Sequence, residues 1–220
     1  MNNEFDYAIV KEGTIGIHAD TVVNNTPTAI INNCIIENMS AIGILGQGAN
    51  LQVNNSVVSN CGQYIVVCNI GGDYNFTHCT FANFWNLNTR STPSILLNNY
   101  YEDINGVFHI RNLNSARFTN CIIDGNLTTE IEFQKNNSGI FNYDFVHCLI
   151  KIDPNTNTNT INYINIIKNE SSDFEDKSER DFHLTEDSPC IDAGTGTPIS
   201  TDIEGNSRNN PDIGAYEFID

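Results

Sequence analysis

Positive charge is scarce in this chain. Ten Lys and Arg stand against 27 Asp and Glu in 220 residues, a formal net charge of −17. That balance excludes a nucleic-acid partner, because phosphate contacts need a basic face. The same repulsion disfavours a polyanionic sugar unless a cation intervenes. Helix formers such as Ala, Lys, Arg and Gln are sparse, while Asn, Ile, Val, Thr, Phe and Tyr are common, so strands and turns are expected. No apolar run is long enough to span a membrane. The start, Met1-Asn-Asn-Glu-Phe-Asp6, has neither the basic nor the apolar region of a signal peptide. Nor do the seven cysteines contain a Cys-x-x-Cys pair, and their number is odd. Zinc and a closed disulfide framework both fit poorly.

What is present is a repeat. Five segments share one pattern: Ile31-Asn-Asn33-Cys34-Ile-Ile36, Val53-Asn-Asn55-Ser56-Val-Val58, Phe76-Thr-His78-Cys79-Thr-Phe81, Phe118-Thr-Asn120-Cys121-Ile-Ile123 and Phe145-Val-His147-Cys148-Leu-Ile150. The Cys/Ser positions are 22, 23, 42 and 27 residues apart, within the range of solenoid repeats. Such a unit cannot bury its apolar residues alone and must stack on its neighbours. For Cys34 and Ile36 to face inward with Ile31, the chain must bend at Asn33, and Asn tolerates the left-handed backbone of such a bend. The spacing therefore predicts a ladder of Asn33, Asn55, His78, Asn120 and His147 along one corner. Beside it runs a reduced interior stack of Cys34, Ser56, Cys79, Cys121 and Cys148. A second corner is expected at Asn38, Asn60, Asn83 and Gly125-Asn126. A third strand per coil is expected at Ile15-Gly-Ile17, Ile42-Gly-Ile44, Tyr64-Ile-Val-Val67 and Ile131-Glu-Phe133.

Three strands per coil describe an all-β, right-handed parallel β-helix of about six rungs spanning residues 1–180, closed by a C-terminal capping module over 181–220. The 42-residue interval holds more than one rung needs, and Asn105-Gly106 is a hairpin signal, so a long excursion is placed near 84–106. Pro154-Asn-Thr-Asn-Thr-Asn-Thr160 has no apolar period and reads as a loop over 153–160.

The repeats, with Gly71-Gly-Asp-Tyr-Asn-Phe-Thr-His-Cys-Thr-Phe-Ala-Asn-Phe84, resemble secreted bacterial right-handed parallel β-helix repeat proteins. The ending is similar to their C-terminal module, in Asp181-Phe-His-Leu184, Ser188-Pro-Cys-Ile-Asp-Ala-Gly194, Asp202-Ile-Glu-Gly205, Arg208 and Asp212-Ile-Gly-Ala-Tyr-Glu217. The resemblance implies a cell-surface or extracellular protein from a group whose members mostly have no assigned activity. Such relatives begin with an export signal and further rungs, so the chain reads as a piece of a longer protein. Its first rung has no capping helix, which leaves an edge open to end-to-end self-association.

Candidate chemistry is dispersed. A glycoside hydrolase needs two carboxylates about 5–9.5 Å apart, and Asp73, Glu102 and Asp103 flank the strands and the excursion. A polysaccharide lyase needs a base and a partner for the uronate carboxyl, which Arg90, Tyr100, His109 and Arg111 could supply. Trp85, Arg90, Tyr100 and Tyr101 offer flat rings and a cation for a sugar, with Phe84 beside them; equally, they could pack the excursion onto the solenoid. In the terminal module, Asp202, Asp212 and Glu217 surround Arg208, the pattern of a paired arginine. No cofactor is expected, although Asp202, Glu204 and Asn206 supply oxygens of the kind calcium takes. The expected function is a non-catalytic surface solenoid that binds a glycan or another cell-surface partner. Carbohydrate-active enzyme and structural stalk are the alternatives.

Overall fold

The computed structural model describes residues 3–21 and 26–219; Met1 and Asn2 of the chain start lie outside them. The chain is all-β and coils into three parallel sheets whose strands follow sequence order. The first sheet holds seven strands, Asn3–Asp6, Ala29–Asn32, Asn50–Asn54, Gly72–Thr77, Leu113–Thr119, Asp144–Val146 and Tyr163–Ile164. The second also holds seven, Ile9–Lys11, Ile35–Glu37, Val57–Ser59, Thr80–Asn83, Ile122–Gly125, Leu149–Ile150 and Ile167–Lys168. The third holds five, Ile15–Ala19, Ile42–Gln47, Tyr64–Asn69, Ile95–Asn98 and Ile131–Gln134. No helix of the described residues is long and apolar enough to cross a membrane.

The corner between the first two sheets is built as the repeat requires. Asn33, Asn55, His78, Asn120 and His147 all have φ between 51° and 53°. Their side chains bond from coil to coil: Asn55 Nδ2 donates to Asn33 Oδ1 at 2.8 Å, and Asn120 Nδ2 donates to His78 Nε2 at 3.0 Å. Tyr7 (φ 50°) and Asn165 (φ 52°) turn the same corner in the first and last coils. There Ala8 and Ile166 replace the small sulfhydryl or hydroxyl, so neither matches the repeat. Inside the corner, Cys34, Ser56, Cys79, Cys121 and Cys148 are buried, and all seven thiols are free. Phe76, Phe118, Phe145 and Tyr163 form one column through the core, with successive ring centroids 4.6, 4.9 and 5.6 Å apart. Each such fully buried side chain contributes roughly 1.5–3 kcal/mol.

Three expectations are corrected. The excursion near 84–106 is two separate ones, because Ile95–Asn98 returns to the third sheet between Tyr64–Asn69 and Ile131–Gln134. A loop over 84–94 precedes that strand, and a hairpin of Tyr100–Glu102 and Phe108–Ile110 follows it. At the second corner Asn38 and Asn60 do have positive φ, but Asn83 and Gly125 do not. Those two coils leave the corner as wide loops, so no tight left-handed bend is needed, and Asn83 instead accepts a bond from Cys61 N at 3.1 Å. Finally, the C-terminal module lies along the side of the stack, from Ile35 in the second coil to Ile167 in the last, and not across its end alone. Phe174, Phe182, Leu184, Cys190, Ile213 and Ala215 pack on the outward face of the second sheet, against Val57, Ala82, Ile122 and Leu149. Its antiparallel hairpin, Phe174–Asp176 with Asp181–Leu184, straddles the expected boundary at residue 180.

Arg208 fastens this lateral module. Its guanidinium is paired with Glu217 and donates to Asn55 Oδ1 at 2.9 Å, Gly214 O at 3.1 Å and Ala215 O at 3.0 Å. Gly214 (φ 114°) runs so close to Ile122 and Thr80 that a side chain there would strike both. Thr195 N donates to Asn120 Oδ1 and Asn120 Nδ2 to Thr195 O, so the module also closes the outer edge of the Asn ladder. The expected loop at 153–160 is present and takes the place of a third-sheet strand in its coil.

Candidate binding groove

The sequence candidates fall into three places. Arg90 and Trp85 belong to the packing of the 84–94 loop. Arg90 is buried, with its fork on Glu130 at 2.6 and 2.8 Å, and it also donates to Thr92 O and Asn83 O. Trp85 is 9 % exposed and donates through Nε1 to Asn88 Oδ1 at 2.9 Å. Neither is a free ligand for sugar, although the edge of Trp85 reaches a groove described below. Tyr100 and Tyr101 lie at the far end of the Ile95–Asn98 strand, so no Trp85/Tyr100/Tyr101 platform forms.

On the hairpin the structure brings Tyr101, Asp103, His109 and Arg111 together. His109 and Tyr101 face each other across the two strands, rings stacked at 4.7 Å. His109 Nε2 lies 2.9 Å from Asp103 Oδ2, and Arg111 sits over the Tyr101 ring at 5.3 Å. The His109 bond, helped by the Val107 and Asn105 amides, holds the Asp103 carboxyl below its ordinary pKa. These contacts are all within one solvent-exposed hairpin, and they rigidify it. Tyr100 packs edge-on against Phe108, Glu102 is exposed, and Asp73 accepts from Asn114 Nδ2 at 3.1 Å on the first sheet.

The histidines of the ladder are structural. His78 Nε2 accepts from Asn120; burial, with Arg208 nearby, pulls its pKa down to about 3, so the ring stays neutral. His147 bonds Ala193 O through Nδ1 and Asn165 through Nε2. Asp202 accepts four N–H bonds, from Glu204 N, Asn206 N, Asn206 Nδ2 and Glu217 N. Its oxygens staple the module's turn.

One feature was not read from the sequence. A groove of about 1050 Å³ follows the corner between the second and third sheets. Each of the first six second-sheet strands is followed by a residue that lines it: Glu12, Asn38, Asn60, Phe84, Asn126 and Lys151. With coils about 4.8 Å apart, that row extends over about 24 Å. Trp85, Asn86 and Leu87 of the 84–94 loop form one lip, Leu87 being 78 % exposed. Lys177, Ser178 and Arg180, in the turn of the C-terminal hairpin, form the opposite wall. Among the described lining residues, Glu12 is the only acid. The arrangement offers amides, hydroxyls, apolar ring edges and cations along a line, which suits binding an extended polymer. It offers no second carboxylate for hydrolysis. The far wall comes from residues distant in sequence, so only the corner asparagines carried a signal.

In comparison with known proteins, no family model, no curated protein and no solved structure matches the chain.

Proposed function

We propose that this chain is part of a secreted or cell-surface solenoid that binds a glycan without cleaving it. The coil is taken as right-handed, the hand that parallel crossovers adopt almost without exception, with seven turns rather than six. The carrying observation is the groove, a row of corner residues from six coils facing a wall of the lateral module. Sugar recognition needs aligned polar groups beside apolar ring faces, and the groove supplies both along its length. The extracellular placement rests on the resemblance in the repeats and the terminal module.

Co-sedimentation with a panel of insoluble and cross-linked polysaccharides tests the reading. Retention is expected without new reducing ends or unsaturated uronates, and Leu87→Asp, at the exposed lip, should abolish it. Retention unchanged in that variant would reject the groove. The Asp103–His109–Tyr101–Arg111 cluster is the one observation favouring an enzyme. Cleavage of any glycan, lost in His109→Ala, would replace the binding function with a lyase or hydrolase.

A further inference from the structure

We infer that the groove selects a linear glycan bearing carboxylates, which it recognises through the Lys177–Arg180 turn; this rests on the glycan reading above. The first observation is where the cations are. Of the ten Lys and Arg side chains, Arg90 and Arg208 are buried in ion pairs. Three of the others, Lys151, Lys177 and Arg180, line this one groove of a chain with net charge −17.

The second observation is what those cations touch. Lys151 is largely satisfied, donating to Gly125 O at 2.6 Å and Asp124 at 3.5 Å, and it fixes the corner. Lys177 holds its ammonium 5.0 Å over the Phe84 ring and makes no hydrogen bond among the described residues. Arg180 is ion-paired through Nε with Glu37 at 3.2 Å, and among the described residues its two Nη groups have no hydrogen-bond partner and can fork onto a carboxylate. One unpaired ammonium and one guanidinium engaged only through Nε, three residues apart on one turn and beside the corner amides, form a site for an anion carried on a hydroxylated chain. The acidic remainder of the surface repels polyanions, but at 0.1 M salt that repulsion is screened within about 10 Å, while contact pairing persists.

An acidic peptide fits less well. An extended peptide is held by adding to an open sheet edge, and the strands ending at this corner are paired on both sides through most of the stack. Asn38 and Asn60, one coil apart, instead present amides at a spacing of about 4.8 Å.

The test uses polygalacturonate, alginate and hyaluronate, each beside its methyl ester, with poly-glutamate as the peptide probe, at 0.1 M salt. At least one uronate polymer should bind and lose about tenfold in affinity on esterification. Lys177→Ala and Arg180→Ala should each weaken the acid form about tenfold and the ester at least threefold less. Arg117→Ala, on the first sheet, is the control and should have no effect. Equal binding of acid and ester, or of neutral polymers alone, overturns the charge inference while the glycan reading stands. Absence of binding to every charged and neutral polymer overturns both. Poly-glutamate binding as tightly as the best polymer makes the partner a peptide.

Discussion

Glu130 is the most consequential single side chain to perturb. It is fully buried and accepts five hydrogen bonds: two from the Arg90 fork, two from Ser94 N and Oγ, and one from Leu127 N. Glu130→Gln keeps the volume but turns one acceptor into a donor aimed at other donors, and it leaves the Arg90 charge unpaired. Breaking a buried pair this way costs about 3–5 kcal/mol. For a chain of this size, about 2–4 °C of melting temperature follows each kcal/mol, so a fall of about 6–20 °C is expected. A repeat stack can lose coils singly, so far-UV circular dichroism should be paired with hydrogen exchange. Ile95–Asn98 and Ile131–Gln134, the strands the pair braces, should exchange faster while the first coils do not. Replacing both partners, in Arg90→Met with Glu130→Leu, should recover part of the loss, because the uncompensated charge is gone. A Glu130→Gln melt within about 2 °C of the parent, below 1 kcal/mol on the same scale, would refute the reasoning.

Further outcomes follow from the cysteines, His183 and Arg208. All seven thiols are buried and free, and burial pushes Cys61 and Cys190 up to about 12 and Cys68 and Cys121 well above the ordinary thiol value. Ellman's reagent should therefore find none in the native protein and all seven in denaturant; rapid native reaction of Cys34, Cys79, Cys121 or Cys148 refutes the stack. For His183, burial pulls the pKa down, but its bonds to Asp181 and Glu204 outweigh that and raise it above 6.5. The protonated ring's contribution to the hairpin is therefore complete below about pH 6.5, the ordinary value. It is lost as pH rises through the raised value. An NMR titration should show the raised pKa returning towards normal in Asp181→Asn and Glu204→Gln; an unchanged titration in both variants is the contrary result. Arg208→Met leaves Glu217 buried without its cation, a loss of about 3–5 kcal/mol. Limited proteolysis should then cut within 185–219 before the solenoid, and equal resistance of variant and parent would count against the module's anchoring.

The corner between the first two sheets was legible because its geometry imposes one residue type. A left-handed bend wants Asn, and the interior beside it wants a small side chain, so Asn33-Cys34 and Asn120-Cys121 announce themselves. The coils at Tyr7 and Asn165 were harder to count because Ala8 and Ile166 fill the small slot without repeating its chemistry. The Ile95–Asn98 strand was hidden for another reason. Ser94-Ile-Leu-Leu-Asn98 is buried on both faces, with Glu130 beneath Ser94, and so lacks the alternation that marks a half-exposed strand. The groove was illegible because its two walls meet only through tertiary packing, Phe84 lying under Lys177, 93 positions away.

The lateral position of the module nevertheless left a trace in the repeat itself. Two central first-sheet strands alternate, Leu51-Gln-Val53-Asn and Tyr74-Asn-Phe76-Thr, whereas four second-sheet strands are apolar at consecutive positions: Ile35-Ile36, Val57-Val58, Ile122-Ile123, Leu149-Ile150. One member of each pair points into the coil, and the other can only point out. A sheet apolar on both faces must be covered on both, and Phe174, Phe182, Leu184 and Ile213 provide that cover. A bare solenoid would expose the whole row, so solenoid and module stabilise each other, and Arg208 on Asn55 couples positions 153 residues apart. That coupling makes the stack less one-dimensional than a simple repeat array. It also sets the width of the groove, because the turn bearing Lys177 and Arg180 is the edge of the cover. Whatever loosens the module should therefore weaken binding in the groove before it unfolds the coils.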